Sequence, residues 1–484
     1  MSQLIGIELG TTRVKTGIYD FEGNLLVEKI LNYPLYFDKT TGKAESKPSD
    51  WWEAVRATLY SAVNTLDKVD VRGITVGSHG PSLVVLDKNY NTVYDSILWM
   101  DQRADKEAQF ISSKLGKKSN DLAWFVPRIL WIKNNKPELF SKIKYCIQPL
   151  DYINFKLTGE LQTSYVSDEI KIWDDKIIEA SGLDKKLFPK LVKMGDYLGQ
   201  ITMQASVFTG IPRNTRVFAG TGGVDCMEVI ISSGALQPGL ICDRGGTSQG
   251  VNLCWTSKFN DSKFYEAPHP LINGLFHIGG LMGTTGKSLQ WYKELYYGKN
   301  RSYDIFFRDA AKSPAGAKKL IFLPYLTGER TPWWDSNARG TFFGLSLDHN
   351  EKDVARSILE GTAFGINHIL NLFRSYNVDL KEVRVCGGQA ASPLWNQIKA
   401  DVTGLPVRTN QIIDGATLGL AIIAGKGTGL YSSIQEAAQN LIKLNKIYEP
   451  DPKNHKLYSE LQDIYESLYP ALKDNFHKLS CITS

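Results

Sequence analysis

An aspartate near the middle of the chain stands where a protein of alternating strands and helices exposes a reactive group. Asp225 follows a short apolar run and residues 220–223, three of which are glycine. A carboxylate at a glycine-rich turn beyond a strand end can accept the proton of a substrate hydroxyl while that oxygen attacks a phosphate. Asp225 could equally cap the next helix, and this pattern alone leaves both interpretations open.

Glycine and hydroxyl residues recur at two turns, each flanked by strand-like runs. The turns consist of Gly10, Thr11 and Thr12 and of Gly246, Thr247 and Ser248. Glycine lets backbone N–H groups approach phosphate oxygens, and the hydroxyls add further donors. Because the second turn lies almost at mid-chain, the repetition predicts two copies of one fold that together clamp a polyphosphate. Either turn alone could be an ordinary hairpin.

A third glycine site lies between a strand-like run and a helix. Gly387 and Gly388 precede Ser392 and Pro393, which are typical of a helix start, and Gly404 is typical of a helix end. A turn of this kind allows backbone to approach a ligand closely. It is not a Walker loop, because no Gly-Lys-Ser/Thr follows, and the G-x-G-x-x-G spacing of dinucleotide folds is missing.

Further polar groups stand at the ends of strand-like runs in the first half. Glu8 has apolar neighbours, and such a charge needs a partner, for which bound Mg²⁺ would serve. Ser78 and His79 end a second run, and Asp101 and Arg103 follow a third. Together they predict a hydroxyl-rich ligand. The alternatives are a structural histidine and a salt bridge at a helix start.

The elements that must position these groups alternate in type. Residues 4–9, 14–20 and 25–30 predict three consecutive antiparallel strands with a turn at 22–24. Ser49 and Asp50 predict the cap of a helix that runs to about residue 66. Strand-like runs at 71–77 and 83–87 and helical segments from about 101 and 127 follow, and the pattern from 431 onward is helical. This order predicts an α/β protein.

Length and composition set limits on the whole molecule. At 484 residues the chain is expected to form two domains or one large elaborated domain, and its 43% hydrophobic and 22% charged residues are typical of a globular protein. A net charge of +5 is too small to indicate a nucleic-acid binder. The chain shows no signal-peptide pattern, no apolar run of membrane-spanning length, no C-x-x-C pair and no close histidine spacing. We therefore expect a cytoplasmic protein with reduced cysteines, no structural metal site and a small-molecule partner.

These motifs together resemble the FGGY carbohydrate kinases, and their xylulokinase-like branch in particular, from end to end. The resemblance is carried by residues 5–12, 127–131, 137–140, 222–225, 246–248, 323–332, 339–345, 387–388 and 414–416. It implies an α/β fold of two actin-like ATPase domains of the ribonuclease-H type with an interdomain cleft. The expected ranges are 1–243 for the sugar-side domain, 244–430 for the nucleotide-side domain and 431–484 for a helical tail. The two halves are expected to close when sugar and nucleotide are both bound.

The resemblance also implies roles for the chemical groups. Asp225 matches the catalytic base, and Glu8 matches the family's aspartate beside Mg²⁺ and phosphate, so that both are expected to hold Mg²⁺, through water where needed. The expected nucleotide-binding residues are Gly10, Thr11, Thr12, Gly246, Thr247, Ser248, Gly387, Gly388 and Asn396. The expected sugar-binding residues are Ser78, His79, Asp101, Asp225 and Cys226.

The expected activity is phosphorylation of a small sugar by ATP through direct transfer, with D-xylulose, which would give D-xylulose 5-phosphate, as the leading candidate. Another pentulose, gluconate or a polyol remains open as substrate. An actin-like or Hsp70-like ATPase and an inactive sugar sensor remain open as classes. Partners are expected to be sugar and ATP, with neither nucleic acid nor membrane, and a homodimer is left open.

Six positions depart from the family pattern. Glu8 replaces the usual aspartate, which carries the carboxylate about 1.5 Å further and could alter metal geometry or rate. Arg128 replaces lysine, Gln389 replaces a common third glycine, and Cys226 replaces the usual asparagine. Residues 77–78 are Gly-Ser instead of Gln-Met. Phosphoryl transfer is therefore better supported than the identity of the sugar.

Overall fold

A computed structural model describes residues 2–116 and 124–482, a mixed α/β structure. The strands are β1 (Gln3–Leu9), β2 (Arg13–Asp20), β3 (Leu25–Asn32), β4 (Tyr36–Asp38), β5 (Lys43–Ser46), β6 (Val71–Ser78), β7 (Val84–Leu86), β8 (Ser96–Ile97), β9 (Tyr145–Ile147), β10 (Gln162–Tyr165), β11 (Lys190–Lys193), β12 (Tyr197–Gln200), β13 (Arg216–Phe218), β14 (Leu240–Gly245), β15 (Gln249–Trp255), β16 (Tyr265–Pro268), β17 (Phe276–Met282), β18 (Ile321–Leu323), β19 (Thr341–Phe343), β20 (Glu382–Cys386), β21 (Val407–Asn410) and β22 (Leu444–Tyr448).

The α-helices cover the sheets and carry several of the site residues. They are α1 (Pro48–Val63), α2 (Asp105–Leu115), α3 (Phe125–Asn135), α4 (Pro137–Phe140), α5 (Pro149–Thr158), α6 (Asp175–Ser181), α7 (Met203–Thr209), α8 (Cys226–Ser233), α9 (Gly286–Tyr296), α10 (Tyr303–Ala310), α11 (Glu351–Arg374), α12 (Pro393–Thr403), α13 (Ala416–Gly427), α14 (Ile434–Leu441) and α15 (Pro452–Ser480). Short 3₁₀ segments lie at Lys185–Leu187, Ala317–Lys319 and Gly388–Ala391. In the described part of the chain no helix is long and apolar enough to cross a membrane.

Two large sheets repeat one arrangement of strands. The first has the order β12-β13-β6-β1-β2-β3, and the second has the order β16-β17-β15-β14-β20-β21-β22. In the first, β1 pairs antiparallel with β2 and parallel with β6. In the second, β14 pairs antiparallel with β15 and parallel with β20. The internal repeat predicted from the two glycine turns is therefore present as two copies of one hairpin and its parallel neighbour.

The chain divides into two compact units. The first comprises Met1–Ser232, Pro270–Asn273 and Ala416–Ile442, and the second comprises Ser233–His269, Gly274–Gly415 and Lys443–Ser484. These limits differ from the expected ranges because packing follows sheet membership. Helix α13 packs on β1 and β6 of the first sheet, whereas β22 pairs with β21 and α15 packs on α11 and α12 in the second unit.

The core of the first unit lies between its sheet and the helices on either face. Helix α1 presents Trp51, Val55 and Leu59, all fully buried, to the sheet. On β1, Gly6 lets α13 approach, because a Cβ there would overlap the carbonyl of Thr417. The sheet is thus covered closely enough to fix the strand ends that carry the site.

Local signals place several elements correctly. The three antiparallel strands are confirmed as β1, β2 and β3. Helix α12 is also confirmed, because Ser392 Oγ accepts the Trp395 N–H and Gly404 ends the helix in the left-handed conformation. The cap predicted at Ser49 and Asp50 is wrong, since α1 already begins at Pro48.

The tail from residue 431 contains helices α14 and α15. It also contains strand β22, which sequence analysis missed.

Candidate functional site

Asp225 is the last residue of the turn that precedes α8, and its side chain is exposed. The turn leaves β13 and folds back so that the Val224 N–H donates to the Thr221 carbonyl over 3.0 Å. This places the carboxylate directly before the first turn of α8, within reach of a ligand. Asp225 thus lies beyond a strand end, as the sequence predicts.

Glycine is required within this turn for reasons of backbone and space. Gly222 and Gly223 have φ values of +56° and +78°, which other residues rarely adopt. A Cβ on Gly222 would lie 2.9 Å from the Ser164 carbonyl oxygen, and one on Gly223 would overlap Gln148 Oε1. Packing against residues far away in sequence therefore fixes the turn that carries Asp225.

Glu8 lies on β1 opposite Lys15 of β2, which is its antiparallel partner in the sheet. The Lys15 Nζ lies 3.3 Å from Glu8 Oε2, and the lysine is buried. Burial, and secondarily the Glu8 charge, raises the pKa of the Tyr33 hydroxyl. The partner that Glu8 needs is thus a lysine that sequence analysis did not single out, although the register of the hairpin indicates it.

The first glycine turn, Gly10 to Thr12, links β1 and β2. The Gly10 N–H donates to the Arg13 carbonyl over 2.9 Å, and the Tyr33 hydroxyl donates to the Gly10 carbonyl. The Trp99 indole N–H donates to Thr11 Oγ1 over 3.1 Å. Thr12 is exposed, so its hydroxyl can meet a phosphate.

Ser78 and His79 lie at the end of β6, where the sequence predicts sugar contacts. Both are buried; Ser78 Oγ donates to the His79 carbonyl, and His79 Nδ1 lies 3.0 Å from Ser82 Oγ. Burial lowers the pKa of His79 to about 4, so the imidazole is neutral at pH 7. Its Nε2 has no protein hydrogen-bond partner among the described residues and can serve a ligand hydroxyl.

Asp101 is buried, and its carboxylate is engaged by the protein. Oδ2 accepts the Ala44 N–H and an Arg103 guanidinium N–H, both over 2.6 Å, and Oδ1 accepts two further N–H groups of Arg103. The predicted sugar contact would have to use the lone pairs that these bonds leave. The salt bridge that sequence analysis kept as an alternative is present.

Arg128, which stands where the family has lysine, makes contacts that favour arginine at this position. Its guanidinium is buried and donates to four backbone carbonyls, which belong to Pro81, Trp99, Asp101 and Trp124. Burial lowers its pKa to about 10, which leaves it charged at pH 7. A lysine has three donors instead of five, so arginine can join more of these segments behind the sugar-side residues.

A third carboxylate, on Glu228, lies near Glu8 and Asp225. The side chain is fully buried, and Oε2 accepts the Thr221 hydroxyl over 2.9 Å. Burial, and then the charges of Glu8 and Asp225, raise its pKa well above the usual range. Sequence analysis missed this residue, and no local pattern distinguishes it from a helix-start glutamate.

The second unit contains a cavity of about 560 Å³. It is lined by Gly245, Gly246, Thr247, Gly286, Lys287, Leu289, Gln290, Tyr303, Asp304, Phe307, Gly388, Gln389, Ala391, Ser392, Pro393, Leu394 and Trp395. Glycine and hydroxyl residues form one part of the wall, and aromatic and apolar side chains form another. Such a lining suits a ligand with phosphates at one end and a flat base at the other.

The predicted nucleotide residues of this unit fall into two groups. Gly246, Thr247 and Gly388 line the cavity, whereas Ser248 and Gly387 are not among the lining residues. A Cβ on Gly246 or Gly388 would meet nothing within 4 Å, so a ligand can approach both backbones.

Asn396 is fully buried and is likewise outside the lining. Its Nδ2 donates to the Ala390 carbonyl over 2.9 Å, which supports the loop that forms the wall. Helices α9 and α10 contribute the lining residues that sequence analysis missed, among them Lys287, Tyr303 and Phe307.

Gln389, another departure from the family pattern, belongs to a buried polar network under the cavity. Lys399 Nζ lies 2.7 Å from Asp243 Oδ2 and also donates to Gln389 Oε1. Gln249 donates to Asp243 and, over 3.1 Å, to Gln389. The amide of Gln389 thus stabilises a buried ion pair that a glycine could not contact.

The oxygen donors of Glu8 and Asp225 are the type that Mg²⁺ prefers. After burial, the charges of both carboxylates raise the pKa of Glu228, so each lies close enough to interact with that side chain. Within residues 2–116 and 124–482 no cluster of three or more acidic, histidine or cysteine side chains has the geometry of a metal site. Two carboxylates fit a Mg²⁺ whose other ligands come from substrate phosphates and water, as is common for this ion.

Comparison with known proteins agrees with this geometry. Residues 3–228 match the N-terminal domain, and residues 244–427 match the C-terminal domain, of the FGGY family of carbohydrate kinases. The chain therefore belongs to the FGGY family of carbohydrate kinases, which makes it a sugar kinase with two domains of the actin-like ATPase fold. The resemblance noted in the sequence is confirmed.

Individual relatives include xylulose kinases and a gluconate kinase. The xylulose kinase of Bacillus subtilis (strain 168) is 30% identical, over 98% of this chain and 98% of its own. The crystal structure of ligand-bound xylulose kinase from Lactobacillus acidophilus superposes with a TM-score of 0.85 at 26% identity, over 99% of this chain and 100% of its own. The gluconate kinase from Lactobacillus acidophilus gives a TM-score of 0.84 at 26% identity, over 99% of each chain.

Proposed function

We propose that the protein transfers the γ-phosphate of ATP to a primary hydroxyl of D-xylulose, which yields D-xylulose 5-phosphate and ADP. The observation that carries the proposal is Asp225, an exposed carboxylate on a glycine turn that packing holds in place. The similarity to xylulose kinases over nearly the full chain supports the choice of sugar.

Asp225 acts as the general base in this reaction. Its carboxylate takes the proton of the sugar hydroxyl while the hydroxyl oxygen bonds to the γ-phosphorus, and the bond from that phosphorus to the β,γ-bridging oxygen breaks. The leaving ADP keeps the electron pair of the broken bond. No enzyme–phosphate intermediate forms, so phosphate passes directly from donor to acceptor.

His79 orients the sugar in this proposal. Its Nδ1 is engaged with Ser82 Oγ, and Nε2 is left to exchange a hydrogen bond with a sugar hydroxyl. Because the ring is neutral, it can either donate or accept there, depending on its tautomer. Leaving such a buried group unpaired costs about 1 to 3 kcal/mol, which discriminates against sugars without a hydroxyl at that position.

The cavity of the second unit binds ATP in this proposal. The open backbone at Gly246 and Gly388 and the Thr247 hydroxyl contact phosphates, and the apolar wall with Tyr303 and Phe307 receives the base. Glu8 and Asp225 would hold Mg²⁺, which would neutralise charge that develops on the transferred group. Thr11 and Thr12 supply further hydroxyl donors for phosphate.

Gluconate is the second candidate substrate. The gluconate kinase structure matches this chain as well as the xylulose kinase structure does in identity, and its TM-score is nearly equal. Ser78 and Cys226 also differ from the usual xylulokinase residues, and they change the size and polarity of the sugar side. Both candidates require the same base and the same nucleotide cavity.

A substrate panel with coupled detection of ADP tests the proposal. We expect D-xylulose to give the highest kcat/KM among D-xylulose, L-ribulose, D-ribulose, gluconate and glycerol. Another ligand that exceeds D-xylulose by more than about tenfold, a 1.4 kcal/mol difference, would overturn the choice of sugar and leave the kinase assignment standing. ADP release that does not depend on any of the sugars would contradict transfer to them.

A further inference from the structure

Glu228 is a buried carboxylate that the proposed reaction does not use. It is the third residue of α8, three positions after Asp225, and only 1% of its surface is exposed. Oε2 accepts the Thr221 hydroxyl over 2.9 Å, while Oε1 is buried without a hydrogen-bond partner among the described residues. A group of this kind is costly to bury, so its retention calls for a physical reason.

The surroundings of Glu228 are shaped to admit its side chain. A Cβ on Gly77 of β6 would overlap Glu228 Oε2, and a Cβ on Gly419 of α13 would overlap the Glu228 carbonyl oxygen. Two neighbouring elements thus lack side chains at the positions that face Glu228. All three belong to the first unit.

The bond between Thr221 and Glu228 joins the two ends of the segment that carries Asp225. Thr221 begins the glycine turn and is fully buried, and Glu228 lies within the first turn of α8. Between them the backbone is held by the Val224 N–H to Thr221 carbonyl bond and by the Met227 N–H to Val224 carbonyl bond. Asp225 lies within the segment that these bonds hold.

We infer that Glu228 is a positioning residue, which fixes the catalytic carboxylate of Asp225 by fastening the start of the glycine turn to α8 through Thr221. The inference rests on the proposed role of Asp225 as general base. A neutral acid or an amide suffices for the task, because the side chain has only to exchange one hydrogen bond with a hydroxyl.

Removal of either end of the bond should affect the rate more than substrate binding. We expect Thr221→Val and Glu228→Leu each to lower kcat by about 10- to 100-fold, the range for a slightly misplaced catalytic group. The KM values for sugar and ATP should stay within about threefold. The double variant should be no slower than the slower single variant, because both changes break one interaction.

Conservative and control variants separate positioning from general stability. Glu228→Gln keeps an acceptor for Thr221 and should retain kcat within about threefold of wild type. Thr215→Val removes a matched bond, from a buried threonine hydroxyl to the Val71 carbonyl over 2.9 Å, away from the turn. It should lower the melting temperature without lowering kcat.

Gly77→Ala tests the same contact without a change at either bonding partner. In the wild-type background the new methyl group should displace Glu228 and lower kcat as Thr221→Val does. In the Glu228→Ala background the overlap with the carboxylate is gone and Leu420 Cδ2, at 3.1 Å, is the close neighbour that remains, so Gly77→Ala should cause a much smaller further loss. An equal loss in both backgrounds would show that Gly77 acts independently of Glu228 and would overturn the inference.

Asp225→Asn distinguishes the two possible failures. If this variant is strongly impaired while Thr221→Val and Glu228→Leu keep kcat within about threefold, the positioning role is wrong and the base assignment stands. If Asp225→Asn retains near wild-type kcat, the proposed base is wrong, and the positioning inference falls with it.

Discussion

Three acidic residues of the first unit differ in what surrounds them, and this difference supports the tasks that we propose for them. Asp225 is exposed at the end of a turn, Glu8 is paired with Lys15, and Glu228 is buried beside Thr221. A base must reach its substrate, so exposure favours Asp225 for that role. A carboxylate held by lysine is suited to organise charge near phosphates instead.

Replacement of the base tests the first assignment. We expect Asp225→Asn to lower kcat by about 10² to 10⁴-fold, because the amide cannot accept the hydroxyl proton. The fold should persist, since Asp225 is exposed. Initial rates with the best substrate and thermal denaturation check both parts, and a variant with near wild-type kcat would contradict the assignment.

Cys226 tests how the sugar side selects its ligand. It is half-buried next to Asp225, and a thiol cannot replace the donors and acceptors of an amide. We expect Cys226→Asn to raise the kcat/KM ratio of D-xylulose over gluconate by about 2- to 12-fold, the equivalent of one neutral hydrogen bond.

The measurement compares kcat/KM for both sugars in wild type and in this variant. Cys226→Ser is the matched control, since it adds a hydroxyl without an amide. An equal change of the kcat/KM ratio in both variants would show that a polar side chain at this position is sufficient and that the amide is not required.

At the scale of elements, the site depends on where strands end in glycine turns. Gly387 follows β20 with φ +81°, and a Cβ there would overlap the Gly245 carbonyl. Its neighbour Gly388 faces the open cavity. The two adjacent glycines therefore serve different purposes, one for backbone geometry and one for ligand access.

Alanine should therefore have different effects at the two positions, on stability at Gly387 and on ADP binding at Gly388. Gly387→Ala should destabilise the protein by about 1 to 3 kcal/mol, because alanine is strained at this φ and meets backbone. Gly388→Ala should leave stability nearly unchanged but weaken ADP binding. Chemical denaturation and calorimetric titration with ADP check the pair. Equal losses of stability in both variants would contradict the distinction.

Glu329, in the loop that follows β18, should make the stability of the protein depend on pH. Its Oε1 accepts the Gly283 and Arg330 N–H groups over 2.6 and 2.7 Å, and burial raises its pKa from 4.5 to about 8. Between these values the folded state holds a proton that the unfolded state has lost. The stability that Glu329 contributes is therefore present below pH 4.5 and is lost as pH rises through 8.

Glu329→Gln should remove this dependence. The free energy of unfolding of the wild type relative to the variant should fall by at most about 1.4 kcal/mol per pH unit between pH 5 and 8. Urea denaturation of both proteins at pH 5, 6.5 and 8 measures the difference. A difference that is constant with pH would show that the carboxyl titrates alike in the folded and unfolded states.

At the scale of the whole molecule, the residues proposed to bind the sugar and the residues that line the cavity belong to different units. The sugar-side residues and Asp225 lie in the first unit, and every residue that lines the 560 Å³ cavity lies in the second. Apart from the phosphate contacts proposed for Thr11 and Thr12, nucleotide affinity should therefore depend on the second unit. Substitutions of Asp225 and of the sugar-side residues should act on the sugar and on the rate.

Calorimetric titration of ADP in the absence of sugar tests this separation. We expect the Kd for ADP to stay within about threefold of wild type in Asp225→Asn and His79→Ala, because neither residue lines the cavity. Thr247→Ala is the comparison that should weaken binding. A loss of more than tenfold in either variant of the first unit would contradict the separation.

The sequence alone determined the features that depend on neighbouring residues. The β1–β2 hairpin, the α12 helix from Ser392 to Gly404 and the turn before Asp225 all carry local signals, because alternation, capping and glycine conformation act over a few residues. The repeated glycine turns likewise indicated two copies of one fold. These signals, with the family motifs, were enough to define a sugar kinase.

Only the tertiary structure decided which distant groups meet. Lys15 opposite Glu8, Gly77 beside Glu228, and α9 and α10 around the cavity are contacts that no local pattern specifies. Helix α13 belongs to the first unit although it begins nearly two hundred residues after Ser232, and this too is decided by tertiary packing. Such contacts arise because buried surfaces are matched by shape and by paired polar groups, and that match exists only once the chain is folded.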